Sequence, residues 1–366
     1  MVGFVAVHTG KKFTQLCDLP IGLPVQGVGN CINELHYRNV SRDACTAGIE
    51  TVRNGGSALD ACEVAITHLE NSPVTNAGFG SNLTWDRTVE CDASIMDGQT
   101  LNFGACTNVS DVKNPIKLAR FICDLQSKTL AHGRVPPMVV SGEGASKIAK
   151  EMGLHLVDDP EELISEKALN CFNHYKDLVN SKAMAKNGTH CSPLDTVGAV
   201  CVDGDGNVAA GCSSGGIILK TSGRVGQAAT YGAGCWAVND TDRCIATCTT
   251  GMGEYLMKTL LAREIVNDLI HCQCPVTSLN KTFKEKFLDS PYLKTPEPLY
   301  AGALTILYDP TSGTGDLLWS HTTAAMCIGY MGTSFRKPKF LCSELPSNCK
   351  SGRTTVVSGK QFTLPT

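Results

Sequence analysis

Leu194-Asp195-Thr196-Val197-Gly198-Ala199-Val200-Cys201-Val202 is the stretch on which the fold turns. The apolar, largely β-branched run 197–202 predicts a buried strand, with Thr196 held at its first position on a rigid element. Asp203-Gly204-Asp205-Gly206-Asn207 is a dense turn signal, and residues 208–214 predict a second strand leading into Gly215-Gly216, so the two strands read as a β-hairpin. An odd-numbered loop centred on Asp205 pairs Val202 with Val208 and brings Thr196 opposite Ser214. A two-residue Asp205-Gly206 loop shifts that pairing by one.

A threonine hydroxyl is a poor nucleophile without a base, and no histidine or aspartate stands at a triad spacing from Thr196. Cleavage of the Asp195–Thr196 bond supplies a base, because the freed α-amine, with an ordinary pKa of about 7.7 to 8.0, sits on the same residue as the hydroxyl. On this reading the chain is a proenzyme. The hydroxyl attacks the preceding carbonyl, water hydrolyses the resulting ester, and the new N-terminus serves later turnovers. The alternative for a lone Asp-Thr pair is an ordinary β-former at a strand start.

The company of that pair favours the first reading. Asp195-Thr196-Val197-Gly198-Ala199-Val200, Gly206-Asn207-Val208-Ala209-Ala210, Ser213-Ser214-Gly215-Gly216, Gly223-Arg224-Val225-Gly226-Gln227 and Thr249-Thr250-Gly251-Met252-Gly253-Glu254 together resemble the N-terminal-nucleophile hydrolases of the plant-type asparaginase family. Within it the likeness is to the taspase, or threonine aspartase, branch. Residues 75–82, 90–98 and 101–105 carry the resemblance into the first half.

The resemblance implies a four-layer αββα sandwich, an α/β fold spanning 1–366 as one domain, with an α subunit 1–195 and a β subunit 196–366. It implies Thr196 as nucleophile, Ser214 as its support, Thr250 and Gly251 as an oxyanion hole, and Asn76 as a polar support nearby. It implies Arg224 as the reader of a substrate carboxylate, since a guanidinium fork pairs two-pronged with one. Gln227 stands where asparaginases acting on free amino acids carry an aspartate for the substrate's charged amine. In a polypeptide that nitrogen is a neutral amide, so a neutral Gln227 fits an endopeptidase. Those same relatives carry glycine where Asp195 stands. By resemblance the partners are protein substrates with an apolar-Asp motif, among them nuclear transcription regulators, and the assembly is an αβ heterodimer pairing into a heterotetramer. No cofactor is implied.

Composition agrees with a globular chain: 42% hydrophobic and 18% charged residues, with a net charge of -3, give no electrostatic reason to expect nucleic acid or a membrane surface as partner. No apolar run approaches the ~20 residues of a membrane span, and residues 3–8 are too short for a signal peptide. Nineteen cysteines, an odd number in no regular framework, read as reduced thiols of a cytoplasmic or nuclear protein. Cys272-Gln273-Cys274 and Cys244 with Cys248 lack the paired spacing of a zinc site, so no metal is expected.

Elsewhere, residues 4–8 predict a first strand ending in a structural His8. Residues 11–28 intervene as an insertion relative to the family pattern, an extra surface loop or a splice read-through, which bears on substrate contacts and on activity. Helices are predicted over 41–53, over 57–69 with a Ser57/Asp60 cap, over 115–125 and over 254–270; strands over 90–96, 101–107, 301–308, 316–321 and 324–331. The polar stretch 158–195 reads as a mobile tail that leaves once the bond is cut. Arg336-Lys337-Pro338-Lys339 reads as solvated surface. Three functions follow: a self-processing endopeptidase cutting after aspartate; an asparaginase or isoaspartyl peptidase acting on small substrates; or an inactive family member serving as an interaction protein.

Overall fold

The computed structural model describes residues 1–9, 28–181 and 195–364. The expectations placed on 11–27 and on 182–194 lie outside them. The strands run β1 (Phe4–His8), β2 (Cys91–Asp97), β3 (Phe103–Val109), β4 (Val139–Ser141), β5 (Val197–Val202), β6 (Val208–Ser214), β7 (Cys235–Asn239), β8 (Cys244–Gly251), β9 (Ala301–Asp309), β10 (Thr314–His321), β11 (Ala325–Gly332), β12 (Lys339–Glu344) and β13 (Val356–Thr363). The helices are α1 (Val28–Arg53), α2 (Ala58–Glu70), α3 (Pro115–Leu125), α4 (Gly142–Glu151), α5 (Glu166–Asn180), α6 (Gly253–Thr259), α7 (Leu261–Ile270) and α8 (Pro275–Thr282).

One sheet has the order β12-β11-β1-β5-β6-β2-β3-β4 and the other β13-β10-β9-β8-β7. Three apolar layers hold the sandwich together. Helices α1, α2 and α3 cover the outer face of the larger sheet over Ile49, Ile66, Ile95 and Ile116. The two sheets meet over Ala6, Val200, Ala210, Ala246 and Ile306. Helices α6, α7 and α8 cover the smaller sheet over Leu256, Ile265, Leu279 and Ile306's neighbour Leu307. This is the expected four-layer αββα arrangement, and small side chains between the sheets suit close face-to-face packing.

The hairpin β5–β6 lies at the centre. Val197, Ala199 and Cys201 pack toward the helices, while Val200 and Val202 pack between the sheets, so both faces of β5 are buried. That double burial is why the strand reads as a continuous apolar run rather than an alternating one. Val202 pairs with Val208 and Val197 with Ser213, so the odd-numbered loop is the one adopted. Asp203 holds this turn through its carboxylate, which accepts the N–H groups of Asp205 and Asn207, each at 3.0 Å.

Several boundaries differ from expectation. Ser57 and Asp60 do form a reciprocal capping box at the start of α2, but α1 begins well before Ser41. The single helix expected over 254–270 is two, broken at Leu260 in a left-handed conformation (φ 48°). The break lets the first turn of α7 donate the Arg263 N–H to the Gly232 carbonyl at 3.0 Å. The expected mobile tail is, over Glu166–Asn180, the helix α5, capped by Ser165. Its Ala168 and Phe172 are buried against Leu83 and Val89, and that apolar burial, invisible in a lysine-rich composition, orders it. Strands β12 and β13 were not anticipated.

Candidate functional site

Thr196 lies at the entrance to β5, 3% exposed. Its hydroxyl donates to Ser214 Oγ at 3.1 Å and accepts from Gln227 Nε2 at 3.1 Å. Ser214 Oγ in turn accepts the Gly216 N–H at 3.1 Å. The hairpin register therefore places Ser214 beside the Thr196 hydroxyl. Gln227, expected as a substrate contact, touches the Thr196 hydroxyl itself.

Asn76 sits on the loop after α2, and its contacts are aimed at the bond in question. Nδ2 donates to the Asp195 carbonyl oxygen at 2.6 Å and to the Gly216 carbonyl at 2.8 Å, while Oδ1 accepts the Asn82 N–H at 2.8 Å. The carbonyl that would be attacked is thus already polarised by a buried amide donor. The Asp195 carboxylate accepts from the Tyr37 hydroxyl of α1 at 3.1 Å.

Thr250 and Gly251 end β8, immediately before α6. Thr250 Oγ1 is buried without a hydrogen-bond partner, and Gly251 has φ 137°, a conformation that an L side chain rarely adopts. A buried, unpartnered hydroxyl is costly unless something fills it, so this hydroxyl suits a transient oxyanion.

Arg224 is brought to the same region, with its fork occupied. Nε and Nη2 meet the two Glu254 oxygens at 2.8 and 2.7 Å. The loop carrying Arg224 and Gln227 is anchored by Asp92, which accepts the Gly226 N–H at 2.7 Å and the Asn108 N–H at 3.1 Å. Asp92 pairs with Ser214 across β2 and β6, so one residue ties the Arg224 loop to the strand that faces Thr196. Burial raises its pKa above the ordinary carboxylate value, against the opposing pull of Lys220. Lys220 is itself buried, donating to the Glu90 carbonyl at 2.7 Å.

His8 is fully buried and pairs with Gly198. Burial drives its imidazole pKa down to about 4, so it carries no charge at neutral pH. A Cβ on Gly198 would lie 2.5 Å from His8 Nε2 and 2.7 Å from Cys248 Sγ, which is why glycine stands next but one to Thr196. Cys248 and Cys212 are buried strand thiols whose pKa values burial pushes well up, making them packing groups rather than nucleophiles.

Sequence reasoning missed Tyr37, Asp92, Asn82 and Glu254 as members of the site. Asn82, Asp92 and Glu254 stood inside quoted motifs, so a signal existed for their importance though none for their roles; Tyr37 had none. Among the described residues, no group of three or more His, Cys, Asp or Glu could hold a metal ion, and no helix is long and apolar enough to cross a membrane.

A family model described as asparaginase matches residues 29–335. The isoaspartyl peptidase/L-asparaginase of Mus musculus is 40% identical over 63% of this chain and 65% of its own length, so the chain spans just under two thirds of that relative. The Macaca fascicularis protein of the same description is 38% identical over 77% of this chain and 82% of its own. An isoaspartyl peptidase of Salmonella typhimurium is 36% identical over 63% and 71%.

Proposed function

We infer, for a chain that belongs to the asparaginase family by its family match and its relatives, a self-processing hydrolase with Thr196 as nucleophile. In the precursor, Thr196 Oγ attacks the Asp195 carbonyl carbon while its proton passes to Ser214 Oγ, the acceptor already on its path, and the Ser214 hydroxyl gives up its own proton toward the Thr196 nitrogen, so that the serine ends neutral. Asn76 Nδ2 stabilises the charge that develops on the carbonyl oxygen. The C–N bond breaks as the nitrogen takes a proton, leaving an ester and a free α-amine. Water then hydrolyses the ester to the Asp195 carboxylate and regenerates the hydroxyl. In the mature enzyme the α-amine takes the hydroxyl proton and returns it to the leaving nitrogen. Thr250 and Gly251 receive the oxyanion.

For the substrate we propose a polypeptide cut after aspartate, with Arg224 reading the aspartate in exchange for Glu254. The observation that carries this is Gln227: a neutral amide, 3.1 Å from the nucleophile, occupies the place of the charge that would hold a free α-amine. The second reading is an isoaspartyl peptidase or asparaginase, and the relatives' names favour it over the first. Intact-mass analysis finding two pieces joined before Thr196 tests the shared part. Incubating the mature protein with a Leu-Asp-containing peptide, a β-aspartyl dipeptide and asparagine separates the two. Release of aspartate or ammonia from the small substrates, with the peptide left whole, would replace the first reading by the second.

A further inference from the structure

The sequence assigns aspartate recognition to one residue, Arg224, yet the structure gives the chain's own aspartate a different partner. Both prongs of Arg224 are on Glu254, while the Asp195 carboxylate accepts from Tyr37 Oη at 3.1 Å. We propose that Tyr37 is a positioning residue for self-processing, which selects aspartate at 195 by anchoring its side chain so that its carbonyl stays on Asn76. The proposal deepens the self-processing reading above and rests on it.

Two holds on one residue carry the inference. The Asp195 main chain is fixed by Asn76 Nδ2 at 2.6 Å and the side chain by Tyr37, so the carbonyl cannot swing from the amide donor without breaking the phenol contact. Such two-point fixation is what an intramolecular attack by a neighbouring hydroxyl needs, since a misplacement of about 1 Å costs on the order of a hundredfold in rate.

Tyr37 is itself held rigidly. Its carbonyl accepts from Ser41 Oγ at 2.7 Å, and Ser41 meets the Thr9 hydroxyl at 3.4 Å, next to the end of β1. The backbone of β11 passes so close that a Cβ on Gly329 would lie 2.8 Å from Ser41 Cβ. Because β1 is laddered to both β5 and β11, the phenol is fixed relative to Thr196 rather than merely near it. The hydroxyl is buried, and burial together with the Asp195 charge raises its pKa well above that of an ordinary phenol; it stays a donor across the whole working range of pH.

The test is a double-mutant cycle on the rate of self-cleavage, followed by intact mass from freshly refolded precursor. Tyr37→Phe and Asp195→Ala, which delete the donor and the acceptor of that contact, are each expected to slow the reaction by about tenfold or more, the worth of one charge-assisted hydrogen bond. The double variant is expected to be no slower than the slower single one, because the two changes remove the same contact. Melting of Tyr37→Phe in an uncleavable Thr196→Ala background is expected to match its parent, which separates positioning from packing. Additive slowing, or a Tyr37→Phe precursor maturing at the parental rate, overturns the proposal while leaving self-processing intact. A parental chain that never parts before Thr196 overturns the self-processing reading and this proposal with it.

Discussion

Removing the Asn76 side chain is expected to arrest maturation more than it harms the fold. Asn76→Ala deletes the amide that donates to the Asp195 carbonyl at 2.6 Å, and loss of one such oxyanion donor slows comparable reactions by about 10² to 10³, or about 2.7 to 4 kcal/mol. The structural cost is separable. Gly216 keeps a donor, since Asn82 Nδ2 reaches its carbonyl at 2.9 Å. The Asn82 N–H, which Asn76 Oδ1 accepts at 2.8 Å, is left unpaired, at a cost of about 1 to 3 kcal/mol. Asn76→Asp retains that acceptor and loses both donors, so it is expected to be at least as slow to mature. The assay is a time course of intact mass from refolded precursor, with melting of each variant measured in a Thr196→Ala background. An Asn76→Ala precursor that folds and matures at the parental rate would refute the assignment of the carbonyl's donor.

Arg224→Ala is expected to leave the chain's own cut intact, since Arg224 is held by Glu254, and to raise KM for a Leu-Asp peptide; peptide kinetics on purified mature protein check it. Gln227→Glu exchanges the amide on the Thr196 hydroxyl for a carboxylate, which would favour a protonated α-amine on the proposed mature N-terminus; its pKa rises, and the acid limb of the kcat/KM profile is expected to move to higher pH. Gly198→Ala forces a Cβ against His8 and Cys248 and is expected to cost about 1 to 3 kcal/mol in denaturant titration. Glu70 is fully buried, with Ser213 Oγ at 2.7 Å and the Ile116 N–H at 3.0 Å on one oxygen, and burial raises its pKa to about 8. A carboxyl raised on folding contributes stability that is complete below its unfolded pKa, near 4.5, and lost as pH climbs to about 8. Glu70→Gln is therefore expected to flatten the decline in stability across that window in the uncleavable background.

What the sequence revealed follows the range of the interactions involved. The β5–β6 pairing was readable because a turn sets the register of its own strands, and the α2 cap because Ser57 and Asp60 are three residues apart. Tyr37 was not, because its partner is 158 residues away and a tyrosine in a polar helix carries no local mark of it. Strands β12 and β13 escaped for a different reason: they are half-exposed edge strands, with Lys339, Glu344 and Lys360 interrupting any apolar alternation. The occupied fork of Arg224 was likewise out of reach, since a motif names a residue type and not the counter-ion it rests on.

The strand order of the larger sheet has a mechanical corollary. A strand from the N-terminal portion, β1, is laced between β5 and β11 of the C-terminal portion, and β2 is laced to β6. Severing the chain ahead of Thr196 would thus free no fragment: the halves remain woven through shared ladders, and neither can be pulled out without unpicking the sheet. Such a molecule would melt in one step after cutting as before it, and neither half expressed by itself would have a sheet to join.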